Sequence, residues 1–329
     1  MNIYDIADKA GVSIATISRV LNGSPNVSAK TLERVMHVME EEGYVPNAFA
    51  RGLGLDTMKM IGVLCTDVSD LYYAQAVSVV EHALREYGFN SLLCCTGEAL
   101  DQKREALELL VQKRVDAILL IGSAFHERAD NTHIEEAARH VPIVIINGLV
   151  EVPNSYCVLC DEENAMRDCV TALARGGSRG ILYLYNVDTY SGIQKLAGYR
   201  RGLEEAGLPA DPALIIKTER DLSCIDRDIS ALVEGGTVVD AVLASEDYLA
   251  VGALKAFARR GVTLPVIGCN NSILAECSSP SLTSIDNRLD ALCTSAVRCI
   301  NDILSGREVA ERSVFPAELI ERDTFHIPR

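Results

Sequence analysis

The sequence predicts an α/β chain in which a small all-α head precedes two doubly wound parallel-sheet lobes. Three observations carry that expectation. The segment before Gly43 holds short stretches of helical apolar spacing, divided by glycine and capping residues. From Met60 onward, short apolar strand-like runs alternate with amphipathic helical ones. The alternation restarts near Asn164, which implies two sheets and not one. A length of 329 residues suits two or three domains.

In the head, Asn2 can cap the orphan amides of a helix starting at Ile3, and Asp5 completes something close to a capping box. Gly11 ends that helix, because glycine enters the left-handed conformation without steric cost. Ser13 then caps a second helix, Ile14 to Asn22. Ile6, Ala7 and Ala10 are set to pack on Val12, Ile17, Val20 and Leu21. Two short helices joined by a glycine turn form a helix-turn-helix, whose second helix can enter the DNA major groove. Ile14, Ala15, Ser18 and Arg19 fall on its outward face. Arg19 can read a guanine with two parallel hydrogen bonds, while Ile14 and Ala15 offer only apolar contact to a thymine methyl. A solvated arginine on an ordinary amphipathic hairpin is the alternative. Asn26-Val27-Ser28 caps a third helix, Ala29 to Glu42, with Leu32, Val35, Met36 and Met39 at helical spacing.

The body begins with a strand at Met60 to Cys65, an amphipathic helix at Tyr73 to Tyr87 and a strand at Ser91 to Cys95. A helix through Leu107 to Val111 follows, then strands at Ala117 to Ile121 and Pro142 to Ile146 around a helix at Ile134 to Arg139. Beyond Asn164, strands fall at Ile181 to Leu184, Ala213 to Ile216, Ala241 to Ala244 and Val266 to Gly268. Such sheets bind ligands beyond the carboxyl ends of their strands, and a cleft between lobes is the expected site. Tyr72 and Tyr73, after the first strand, can stack on a sugar ring or a base, or pack in the core. Ser123 and Asn147 end the third and fourth strands and can hydrogen-bond hydroxyls.

Composition narrows the function classes. The formal charge of −15 argues against a general nucleic-acid binder. Residues 1–60 carry six Lys/Arg against seven Asp/Glu, whereas the remainder carries 25 against 39, so the head is nearly relieved of the acidity of the body. Lys9, Arg19, Lys30, Arg34, Arg51 and Lys59 are its available cations. No run approaches the roughly 18 apolar residues of a membrane span. No basic-then-apolar leader precedes the first helix, so a cytoplasmic protein is expected. Eleven cysteines in that setting read as reduced thiols. Cys157 and Cys160 have metal-ligand spacing, but they sit in an alternating strand without a second pair nearby, and neither a metal nor a cofactor is expected. Cys94 and Cys95 are expected in the core. Ser123, His126 and Asp161 stand at strand ends, yet no Ser, His and Asp follow a recognisable triad order, so no catalytic residue is assigned.

The ordered motifs G-V-S-x-x-T-I-S-R-V-L-N, V-S-x-x-T and G-Y-x-P-N-x-x-A-R-G-L, between Gly11 and Leu53, make the chain resemble the lactose-repressor/galactose-repressor (LacI/GalR) family of transcription factors. The resemblance extends over the whole chain. It implies that Ile14, Ala15 and Arg19 read bases, with Ser18 and Asn22 on the same helix. Tyr4, Ser13, Thr16, Ser28, Thr31 and Asn47 then sit near phosphates. It implies a helix-turn-helix domain at 1–45 and a hinge helix and linker at 46–59, with Ala50 in the minor groove and Leu53 wedged between base pairs. Gly52 and Gly54 flank Leu53, and each disfavours helix by roughly 1 kcal/mol, so the free hinge is expected to be disordered.

For the body the resemblance implies a periplasmic-binding-protein-like (type I) fold, with an N-terminal lobe at 60–161 plus 288–318 and a C-terminal lobe at 162–287 plus 319–329. In the second lobe it points to Lys195, where relatives have arginine, to Glu246, where they have asparagine, and to Asn270, where many have aspartate. Thr218 to Asp221 lacks an aromatic that many relatives use. Lysine and arginine are not interchangeable, so Lys195 and Glu246 either meet an unusual ligand or pair with each other. The expectation is a homodimeric repressor on a near-palindromic DNA operator, controlled by a polyol, saccharide or sugar-derived acid, with a nucleobase second. A solute-binding protein would share the body without the head.

Overall fold

The computed structural model describes residues 2–21, 24, 26–44 and 57–328. The head is built from α1 (Ile3–Ala10), α2 (Ile14–Leu21) and α3 (Ala29–Glu41). Asn2 and Asp5 form the capping box, and Gly11 turns the chain at φ +60°. Ser13 accepts from the Thr16 amide at 3.2 Å, and Ser28 from the Thr31 amide at 3.2 Å. Ile6, Ala7, Ala10, Ile17, Val20, Val35 and Met39 close a small core. Leu32 and Met36 share the helical spacing of Val35 and Met39 but are exposed, because so small a head offers α3 only a narrow stripe to bury. Most of the expected hinge, including Asn47, Ala50, Gly52, Leu53 and Gly54, lies outside the described residues, as does Asn22.

The body holds two six-stranded sheets. The first uses β1 (Met60–Cys65), β2 (Asn90–Cys95), β3 (Ala117–Ile121), β4 (Ile143–Ile146), β5 (Ser155–Asp161) and β11 (Arg312–Pro316), in the order β11-β5-β4-β3-β1-β2 and all parallel. Its faces are covered by α4 (Leu71–Glu86) and α12 (Leu289–Leu304) on one side, and by α5 (Leu100–Gln112) and α6 (Thr132–Ala138) on the other. The buried central strands are apolar on both faces, as parallel sheets require.

The second sheet uses β6 (Ile181–Tyr185), β7 (Ile215–Lys217), β8 (Ala241–Ala244), β9 (Val266–Cys269), β10 (Thr283–Asp286) and β12 (Glu318–Ile320), in the order β12-β10-β9-β8-β6-β7. This sheet is parallel, as expected, except at one edge, where β12 runs antiparallel to β10. Only Ala317 separates β12 from β11, so the chain crosses from one sheet to the other and returns along the edge. The strand expected at Ala213 to Ile216 starts later, because Pro212 opens a 3₁₀ turn through Leu214. α7 (Glu162–Arg175) and α8 (Tyr190–Glu205) cover one face together, and α9 (Leu222–Glu234), α10 (Asp247–Ala258) and α11 (Ile273–Cys277) lie on the other side or at its end. The chain passes between lobes after β5, between β10 and α12, and between β11 and β12.

Candidate functional site

In the head, the face of α2 opposite its core carries Ile14, Ala15, Ser18 and Arg19, all exposed, while Ile17 and Val20 are buried. Ser13 and Ser28 are exposed at the helix starts, Thr16 and Thr31 half-exposed beside them, and Tyr4 is exposed on α1. Two cations counted for the head are already engaged. Lys9 pairs with Glu42, and Lys59 stands 4.7 Å above the Phe89 ring of the first lobe.

Between the lobes, beyond the carboxyl ends of both sheets, lies a cleft of about 670 Å³. Tyr72, Tyr73, Ser123, Asn147, Lys195, Glu246 and Asn270 all line it. Asp70 caps α4 by accepting from the Tyr72 amide at 2.7 Å, which seats both tyrosines at the helix start. Their rings meet edge to face at 5.4 Å. Burial pushes the Tyr73 hydroxyl up to about 12, so it enters as a neutral donor and acceptor. Ser123 donates across the cleft to Thr189 at 2.8 Å.

The deepest feature is a buried polar centre that the sequence reading missed. Glu162, at the start of α7, accepts from Asn147 at 3.1 Å, Ser191 at 2.5 Å and Lys195 at 3.2 Å. Asn147 belongs to the first lobe, whereas Ser191 and Lys195 lie one turn apart on α8. Glu162 therefore ties the lobes at their first crossover. Asn147 also accepts from the Cys160 amide at 3.2 Å, so its side chain is held from both ends. Lys195 donates in addition to the Ser245 carbonyl at 3.0 Å. Burial alone would lower the Lys195 pKa; Cys269 and Glu162 beside it reverse the direction, and the net shift is upward. Burial raises the Cys269 thiol to about 12, so it is neutral at ordinary pH, and the Glu162 carboxylate is what keeps the ammonium charged.

Of the two alternatives left open for Lys195 and Glu246, pairing with each other is thus ruled out. α7 packs so closely on α8 that a Cβ on Gly198 would run into the Glu163 carbonyl, and this brings Lys195 to Glu162. Glu246, at the end of β8, instead takes Arg220 at 3.2 Å and accepts from Asn186 at 3.1 Å. Burial raises its carboxyl above the usual range, against the pull of Arg220. Arg220 also pairs with Asp70 of the opposite lobe and lies 5.1 Å from the centre of the Tyr248 ring. It occupies the segment in which an aromatic was noted as missing. Asn270 accepts from Asn287 at 3.1 Å. Ser245 was also missed; it is 4% exposed, and its hydroxyl has no hydrogen-bond partner among the described residues. Glu162, Arg220 and Ser245 all follow or end strands, so the rule that found Ser123 and Asn147 applied to them too.

Cys157 and Cys160 belong to cores on opposite faces of the first sheet and cannot share a ligand. Among the described residues no group of three or more His, Cys, Asp or Glu could hold a metal ion. Cys95 is exposed, a correction to its expected core position, because β2 is an edge strand.

Residues 2–47 match the family described as bacterial regulatory proteins, lacI family, and residues 170–325 match a periplasmic binding protein-like domain. An HTH-type transcriptional regulator of Lachnoclostridium phytofermentans is 48% identical, over 98% of this chain and 99% of its own. The solved complex of the transcriptional regulator CelR with cellobiose is 27% identical with a TM-score of 0.72, covering 99% of this chain and 100% of that one. The lac repressor dimer bound to operator and the anti-inducer ONPF superposes with a TM-score of 0.86 at 24% identity, over 98% of each chain.

Proposed function

Because the chain belongs to the lacI family of bacterial regulatory proteins, we propose that it is a homodimeric, cytoplasmic repressor whose hold on a near-palindromic operator is set by a saccharide-like effector in the cleft. The observation that carries this reading is the presence in one chain of two separate recognition surfaces. One is an outward helix face bearing Arg19; the other is a cleft lined by amides, hydroxyls and two tyrosines. Two heads are needed, since one head with few free cations supplies little phosphate contact. Ile14, Ala15, Ser18 and Arg19 are assigned to base reading, and Tyr4, Ser13, Thr16, Ser28 and Thr31 to the phosphates beside it. Binding of the effector shifts the lobe geometry and with it the spacing of the paired heads. The relatives named above are regulators, and no catalytic role is assigned here. Among the described residues no helix is long and apolar enough to cross a membrane.

Selection of bound DNA from random duplexes, followed by mobility shift with and without saccharides, polyols and nucleobases, tests the reading. A two-fold-related motif released or tightened by a saccharide is the expected result. A protein that enriches no motif, or that responds only to nucleobases, would overturn the operator or the effector part respectively.

A further inference from the structure

Charge in the cleft is strongly one-sided. Asp67, Asp70, Glu98, Glu162, Glu219 and Glu246 line it, against Lys195, Lys217 and Arg220. Each of those cations is already engaged. Lys195 faces Glu162, Arg220 is shared by Asp70 and Glu246, and Lys217 pairs with Asp188. Among the described residues no lysine or arginine lies within ion-pairing distance of Asp67, Glu98 or Glu219. Asp67 is held ionised by the amide and hydroxyl of Ser69.

The floor beneath these carboxylates has a different character. Ser245 and Tyr72 both line the cleft, and their buried hydroxyls lack a hydrogen-bond partner among the described residues. A hydroxyl both donates and accepts, so these two are matched by the hydroxyl groups of a ligand. An anionic group would meet three carboxylates that no salt bridge neutralises and would have to draw Arg220 away from two others. A cleft with low-dielectric walls concentrates that field instead of dispersing it.

We propose that the effector is an amine-bearing saccharide, its hydroxyls toward Ser245 and Tyr72 and its ammonium toward Asp67, Glu98 and Glu219, and that the cleft rejects acidic and phosphorylated sugars. This rests on the reading of the cleft as a saccharide site and adds a charge to the ligand. Calorimetric titration of the full chain with matched sets tests it: glucose, glucosamine and glucose 6-phosphate; galactose, galactosamine and galactose 6-phosphate; cellobiose, the glucosamine disaccharide and cellobionate. In at least one set the amine should bind about tenfold tighter than its neutral partner at low salt, with the acid or phosphate weakest. The ratio should shrink as salt is raised, because the rim carboxylates are open to solvent. Replacement of all three, Asp67→Asn with Glu98→Gln and Glu219→Gln, should bring amine and neutral sugar to similar affinity. Neutral sugars binding as tightly as amines, a phosphate binding best, or a ratio unmoved by salt would overturn the charge proposal and leave the saccharide reading standing. No binding in any set would overturn both.

Discussion

Glu162 is 2% exposed and accepts from three side chains on two lobes, so its surroundings tolerate no loss of charge balance. Lys195→Met should lower stability by about 3–5 kcal/mol, because it strands a buried carboxylate. Adding Glu162→Gln should recover part of that loss, and thermal unfolding of both variants would show it. A Lys195→Met variant as stable as the parent would mean that Glu162 needs no cation beside it, and that the two do not face each other as ions. His133 is a second buried titratable side chain, on α6 and outside the cleft. Burial lowers its pKa from 6.5, opposed by its hydrogen bond to the Phe125 backbone. The unfolded chain takes up this proton near pH 6.5 and the folded one only below that. The contribution of His133 to stability is therefore complete above 6.5 and declines as pH falls through the window beneath it. His133→Gln should flatten this part of the stability–pH curve, measured by denaturant unfolding between pH 7 and 5. At the DNA face, Arg19→Ala should cost roughly 1–3 kcal/mol and relax preference at one base pair per half-site. Unchanged affinity and base preference in a mobility shift would remove Arg19 from recognition.

Among the elements, caps and apolar periods were readable because they are local. Asn2 with Asp5, Gly11, Ser13 and Ser28 act where the sequence placed them, and β1, β3 and β8 have the bounds their apolar runs suggested. What was not readable depends on partners distant in sequence. Nothing near Cys95 says that β2 has a neighbour on one side only, and nothing near Glu318 says that its strand will run against β10. The same holds within the cleft. Strand-end position pointed to Tyr72, Tyr73, Ser123 and Asn147, and the family resemblance to Lys195, Glu246 and Asn270; all seven line one cavity, but the partner of Lys195 was fixed by helix packing. That packing depends on Gly198, whose replacement by alanine would push α7 and α8 apart. Gly198→Ala should destabilise by about 1–3 kcal/mol, read from the urea midpoint; an unshifted midpoint would show that the helices can separate at no cost.

For the molecule as a whole, Arg220 with Asp70, Ser123 with Thr189, and Arg128 with the Asp188 carbonyl at 3.1 Å join the rims of the two lobes across the cleft. Arg220→Gln removes the one contact of this set that joins two charged side chains. Since Arg220 is about one-third exposed, this arrangement of the lobes should lose about 1 kcal/mol at most, roughly a fivefold shift toward a more open one. Small-angle scattering of the ligand-free protein should then give a larger radius of gyration, and an unchanged radius would assign closure to the crossovers. Those crossovers also bear on how the protein is made. β5 ends at Asp161, yet β11, which pairs with it, begins at Arg312, and α12, which covers the same sheet, begins at Leu289. At about 5–20 residues per second, a ribosome needs roughly 6–30 s to synthesise the intervening chain. Throughout that interval the nascent first lobe exposes the edge of β5 and the apolar surface destined for α12, while the second lobe is still being synthesised. Such a chain is a natural client for ribosome-associated chaperones, and its yield in a cell should respond to translation speed more than its equilibrium stability would suggest.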